Sequence, residues 1–281
     1  MLQKFLFGSK KGFKIIKFIS VLMLTLATSC NGNVYTDMSN KTTEQALLEN
    51  AVKAINKGDY DGAIAYLAQI TSAFRHDAKV SKTAAAAYAG KCGLDFFNMV
   101  TTITAVTANT PMIMLMKAFQ TVTVFPASCD TAQAEIEFKY GAVSAARPAD
   151  INLFMAILGM AKMGTYLSSI ADTTPKDGLV DAGYVDSCLP ATISDANTKE
   201  VGTGLGLILD NITSLTAAVA GNGAIAALAA LQAACGASCV ITDINSASWT
   251  PANIKVIRSA IKSTSFGIES CGAAPFVTCC P

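Results

Sequence analysis

Residues 42–73, TTEQALLENAVKAINKGDYDGAIAYLAQITSA, decide the fold class. Leu47, Leu48, Ala51, Ala54 and Ile55 recur at the three- and four-residue spacing of one helix face. Thr42, with Gln45 three residues later, reads as a capping box that starts this helix. Gly58 stops it, and Asp59 or Tyr60 starts a second helix carrying Ala63, Ile64, Tyr66, Leu67 and Ile70. The spacing therefore predicts a helix, a tight turn and a helix.

The helical period continues down the chain. Thr110-Pro111 opens a short apolar helix through Phe119, with proline in its favoured first turn. Asp130 opens another, with Ala134, Ile136, Phe138 and Tyr140. Residues 150–171, with Ile151, Leu153, Phe154, Ile157, Leu158 and Leu167, are apolar nearly all round, which predicts burial at the centre of a bundle. Residues 198–220 and 223–234 read as two more helices, and Thr250-Pro251 starts the last, with Ile254, Ile257 and Ile261. Thr121–Phe125 is the only clear strand-like run. The expected architecture is all-α: helical hairpins over 42–105 and a disulfide-braced helical bundle over 106–281.

The N-terminus carries a different signal. Lys4, Lys10, Lys11, Lys14 and Lys17 precede the apolar run 18–27, which ends in Ala27-Thr28-Ser29-Cys30. A basic stretch, an apolar core and small residues before a cut define a secretory signal peptide. With cysteine at its end, the segment resembles the lipobox of a bacterial lipoprotein, Leu26 standing one place earlier than that family's usual leucine. The resemblance implies a signal peptide over 1–29, diacylglycerol on Cys30 and a new N-terminus there. A polar tether follows over 30–41. Asn31 in place of aspartate implies outer-membrane sorting, with the lipid as the membrane attachment. An ordinary signal peptide with a nearby cysteine is the alternative.

Removing residues 1–29 takes five lysines and no acid from 21 basic and 20 acidic side chains. The remaining surface is mildly acidic, which argues against nucleic acid as a partner. Eight further cysteines remain: Cys92, Cys129, Cys188, Cys235, Cys239, Cys271, Cys279 and Cys280. An even number in an exported chain predicts disulfides, whose pairing sequence leaves open. One histidine, His76, and no paired Cys-x-x-Cys motifs argue against structural zinc.

Gly58-Asp59-Tyr60 followed by Ala63 resembles the centre of a tetratricopeptide repeat. The resemblance implies small residues where two helices cross, here Ala51 and Ala63, and large apolar ones at Leu47 and Leu67. Residues 81–100, with Ala87, Tyr88 and Gly90, resemble the first helix of a second copy. An unrelated alanine-rich hairpin is the alternative.

Candidate chemistry is sparse. Asp172, Asp177, Asp181 and Asp186 make an acidic loop, in which Asp177-Gly178 and Asp181 resemble the middle of an EF-hand-like calcium site. Thr173 and Pro175 stand where the first ligands belong and Tyr184 replaces the bidentate glutamate, which favours a solvated loop anchored by Cys188. Gly202-Thr203-Gly204-Leu205-Gly206 lacks a preceding strand and reads as close helix packing rather than a phosphate cradle. His76 reads as a surface loop residue. Met112, Met114, Met116, Met155, Met160 and Met163 read as core filling, or as the lining of an apolar pocket. No hydrolase or metalloprotease motif and no cofactor motif is present in the sequence. The expected function is a non-enzymatic outer-membrane lipoprotein without a cofactor, a helical scaffold or assembly factor for another envelope protein. The rival is a periplasmic binding or transport-accessory protein for a small apolar ligand.

Overall fold

The computed structural model describes residues 43–96, 98–99, 101, 109–214, 249–271 and 276–281. Nine α-helices are defined among them, with no strand. They are α1 (Glu44–Ile55), α2 (Tyr60–Leu67), α3 (Ser72–Arg75), α4 (Ala78–Cys92), α5 (Pro111–Lys117), α6 (Pro126–Tyr140), α7 (Ala149–Ala171), α8 (Asp195–Asp210) and α9 (Pro251–Lys262). Short 3₁₀ turns lie at Ser144–Ala146 and Phe276–Thr278. The all-α expectation holds. The signal-like segment, the tether with Cys30, and the predicted helix at 223–234 lie outside the described residues.

Local chemistry sets the helix ends. Thr43 Oγ1 accepts from Ala46 N at 3.2 Å at the start of α1; Thr42, the expected capping-box residue, lies outside the described residues. Gly58 takes φ +75°, which lets Asp59 N reach back to Ala54 O at 2.9 Å and close the helix. Asp59 then caps α2 through Gly62 N at 2.9 Å. Asp77 caps α4 through Lys79 N. Gly93, at φ +114°, ends α4 well short of the predicted residue 100. α6 begins at Pro126 rather than Asp130, because proline at the first turn needs no N–H partner there. Ser194 caps α8 through Asn197 N, so that helix starts before residue 198 and runs to Asp210. Thr250 and Asn253 form a reciprocal capping box on α9. Residues 121–125 turn and extend without pairing as a strand; Phe125 N donates to Cys92 O.

Two apolar cores share α4. Val80, Ala84 and Ala87 face a small core with Leu47, Ala51, Ala63, Leu67 and Ile70. Ala85, Ala89 and Cys92, displaced round the same helix, face the main core. Both sets step by four and then three residues, so the alanine-rich helix has two buried faces. The small residues allow close approach: a Cβ on Gly90 would lie 2.0 Å from the Tyr60 ring.

α7 is the axis of the larger core, packed by α4, α5, α6 and α8, and α9 packs on α8. By length and composition α7 is apolar enough to cross a membrane, but 72% of its most apolar window is buried within the protein. Its glycines set the packing distance. A Cβ on Gly159 would meet Gly204 O at 2.6 Å, and one on Gly204 would meet Gly159 O at 2.9 Å. The glycine run 202–206 thus lies inside α8 at a close helix crossing, as its predicted packing role requires.

Three disulfides brace this body: Cys92–Cys129, Cys188–Cys280 and Cys271–Cys279. The first joins α4 to α6, across the boundary expected between residues 105 and 106. The adjacent Cys279 and Cys280 take different partners. Cys235 and Cys239 lie outside the described residues.

Candidate functional site

The least expected feature is Lys162, in the middle of the most apolar helix. Its side chain is 3% exposed. A lysine is rarely buried without partners. Here Nζ lies 2.8 Å from Asp130 Oδ1 on α6 and 2.6 Å from Glu200 Oε2 on α8, and donates to Gln133 Oε1 at 2.9 Å. Tyr166 OH donates to Asp130 Oδ2 at 2.5 Å, and burial raises the pKa of that phenol well above its ordinary value. Thr203 Oγ1 donates to Glu200 Oε2. Three oxygen partners saturate the ammonium, so the cluster staples three helices and leaves no free amine for nucleophilic work. Sequence reasoning missed it. The only signal is a lone lysine inside an apolar helix, and its partners stand about 30 to 40 residues away on either side.

Two further buried cations behave alike. Arg147 donates to Gly141 O, Ala142 O, Asn152 Oδ1, Asp210 Oδ2 and Asn211 Oδ1. Arg258, within α9, is buried and donates to Ser187 O, Ile193 O and Asp195 Oδ1.

The acidic loop is organised by its own carboxylates. Asp172 is buried and accepts from Asp177 N at 3.0 Å and Gly178 N at 3.1 Å, while desolvation raises its pKa. Asp181 accepts from Thr173 N, Thr173 Oγ1 and Thr174 N. Asp177 accepts from Leu179 N. Asp186 accepts from Lys262 Nζ at 2.7 Å and from Cys188 N at 2.8 Å. The four aspartates thus serve four separate turns. Among the described residues no group of three or more His, Cys, Asp and Glu side chains converges as a metal site. Tyr184, at the position where an EF-hand-like loop needs a carboxylate, bonds Ser187 Oγ at 2.9 Å. Burial pushes its hydroxyl up to about 12, so it supplies no charge.

His76, expected on a surface loop, is exposed just after α3 and borders a cleft of about 380 Å3 between that segment and α6. Its ring lies 5.0 Å from that of Phe138, which is 61% exposed. Arg75 and Glu135 form an ion pair at 2.5 Å on the same wall. An exposed aromatic beside a polar rim is the composition of protein–protein contacts. All six methionines are buried, and Met112, Met116, Met155, Met160 and Met163 belong to the main core. Leu47, Ala51, Ala63 and Leu67 are all buried in the small core. Cys30 lies outside the described residues. Comparison of the chain with protein families, with curated proteins and with solved structures finds no match.

Proposed function

We propose that this chain is a non-enzymatic, lipid-anchored outer-membrane lipoprotein whose helical body is a scaffold or assembly factor for another envelope protein. The observation that carries the reading is the pairing of six cysteines into three disulfides. Disulfides persist in oxidising compartments, and this body follows a basic, apolar segment ending in Ala27-Thr28-Ser29-Cys30. The same compartment is required for lipidation at Cys30. The tetratricopeptide-like hairpin of α1 and α2 and the Phe138 cleft beside α3 are the surfaces offered to a partner protein. Nucleic acid is not among the partners, given the acidic balance of the chain after residue 29. Burial of all six methionines favours the scaffold over the rival ligand-binding reading.

Metabolic labelling with a palmitate analogue tests the anchor. The wild type is labelled and sediments with membranes; Cys30→Ser loses both properties. Asn31→Asp shifts the protein toward the inner membrane where that sorting rule operates. Crosslinking in intact cells followed by mass spectrometry tests the scaffold. A single envelope protein enriched with the wild type and lost with Phe138→Asp supports it. A soluble, unlabelled wild type refutes the anchor, and a crosslink pattern unchanged by Phe138→Asp removes the cleft from the partner surface.

A further inference from the structure

Asp130, Lys162 and Glu200 meet from three helices in an arrangement that can do more than pair charges. Lys162 Nζ faces Asp130 Oδ1 at 2.8 Å, yet that oxygen is closed to water and makes no hydrogen bond, so the two atoms meet outside hydrogen-bond alignment. The carboxyl carbon Cγ lies one C–O bond, about 1.2 Å, beyond Oδ1, which puts it within about 4 Å of the nitrogen. That is close to the separation from which a held nucleophile attacks. Glu200 Oε2 stands 2.6 Å from Nζ, where a proton acceptor is needed. Tyr166 OH donates to Asp130 Oδ2 at 2.5 Å, on the oxygen that gathers negative charge when Cγ is attacked. Asp130 thus offers one oxygen free to leave and one held by a phenol.

From this geometry we infer that Lys162 and Asp130 condense to an isopeptide bond, a covalent link between α7 and α6, with Glu200 as the proton carrier. As the ammonium of the ion pair, Lys162 has no free amine; handing one proton to Glu200 supplies the lone pair. Neutral groups also cost less to bury than charged ones. Nζ then bonds to Cγ, and the charge pushed onto Oδ2 is met by the Tyr166 hydroxyl. The Cγ–Oδ1 bond breaks with its electron pair leaving on Oδ1. Of the three ammonium protons, one stays on the amide nitrogen and two reach Oδ1 by way of Glu200. Oδ1 departs as water, and Glu200 ends as the carboxylate it began. The balance needs no oxidant or reductant. The Asp130 side chain is partly exposed, which gives the water a way out. The adjacent Cys129 already joins α6 to α4 through Cys92. The two bonds hold α6 to two neighbouring helices, and only the disulfide yields to a reductant. The inference does not depend on the anchor or on the scaffold reading.

Peptide mapping of the full chain by mass spectrometry tests it. The purified wild type is reduced, alkylated, denatured and digested with trypsin. A branched peptide containing both Asp130 and Lys162 is expected, lighter than its two parts by the mass of one water. Cleavage after Lys162 is expected to be lost, and fragmentation is expected to place the bond between those two side chains. Asp130→Ala and Glu200→Gln are each expected to lose the branched peptide and to restore cleavage after Lys162. A wild type cleaved after Lys162, with no branched peptide, overturns the inference, and that result decides the matter even if a variant does not fold. So does a bond from Lys162 to Glu200 or Gln133 in place of Asp130, or a branched peptide that Glu200→Gln retains at the wild-type level.

Discussion

Lys162 shows how much a single side chain organises here. It ties α7 to α6 through Asp130 and Gln133, and to α8 through Glu200. Removing the cation leaves two facing carboxylates. Asp130 and Glu200 are partly exposed, so water moderates the penalty below that of a fully buried pair. Lys162→Met is expected to cost about 2–4 kcal/mol, read as a shifted urea midpoint with an unchanged slope. Adding Glu200→Gln to that variant recovers part of the loss if repulsion between the carboxylates is its cause. Asp186 makes a prediction in pH. Its hydrogen bond to Lys262 holds its pKa below the ordinary value of 3.8. The stabilisation is therefore complete above that unfolded-state value and fades as pH falls through the depressed folded one. Thermal melts down the acid limb are expected to show a shallower decline for Asp186→Asn than for the wild type. An identical decline would mean that the pair contributes nothing.

At the scale of elements, α4 carries the fold's division into two cores. Its alanines let α2 approach on one face and the main core on another. Ala63 is fully buried opposite that small face. Ala63→Leu is expected to overpack the contact at a cost of about 1–3 kcal/mol. Hydrogen exchange is expected to rise across residues 44–73, while α6 and α7 stay protected. Exchange that stays at the wild-type level would mean the site accepts the larger side chain. The close α7–α8 crossing is less forgiving. Gly159→Ala puts a methyl group 2.6 Å from Gly204 O, a backbone atom that moves only with its helix. A loss of stability at least as large as that of Ala63→Leu is expected, measured by the same denaturant titration. The hairpin was legible because its caps, its glycine and its apolar period are local. α6 was misplaced by four residues because Asp130 looks like a cap, whereas the preceding Pro126 already starts the helix and frees Asp130 to meet Lys162.

At the scale of the whole molecule, the disulfides set the hierarchy of stability. Cys188–Cys280 spans 92 residues and Cys271–Cys279 spans 8. The chain-entropy model assigns about 4–5 kcal/mol to the longer loop and about 2–3 kcal/mol to the shorter. The double variant Cys188→Ala, Cys280→Ala is thus expected to melt well below Cys271→Ala, Cys279→Ala in calorimetry. A reversed order would mean that native-state packing, not loop closure, dominates. The α1–α2 hairpin carries no described disulfide of its own, so mild reduction is expected to spare it and loosen the C-terminal region first. Limited proteolysis with and without dithiothreitol reads that order directly.

The helical class, most helix starts, the glycine stops and the export-type cysteine content follow from sequence by itself, because each depends on residues within a turn or two of one another. Cap hydroxyls, αL glycines and apolar spacing act locally, and no distant contact is needed to read them. Tertiary structure alone decided the rest. It paired the six described cysteines as Cys92–Cys129, Cys188–Cys280 and Cys271–Cys279, which sequence leaves open. It buried Lys162 and Arg258, which sequence alone reads as ordinary charged residues. It assigned the four loop aspartates to separate turns instead of one cation. Each of these depends on groups brought together from separate helices or across a folded loop. A charge or hydroxyl takes its role from the partners and the solvent that the fold leaves around it.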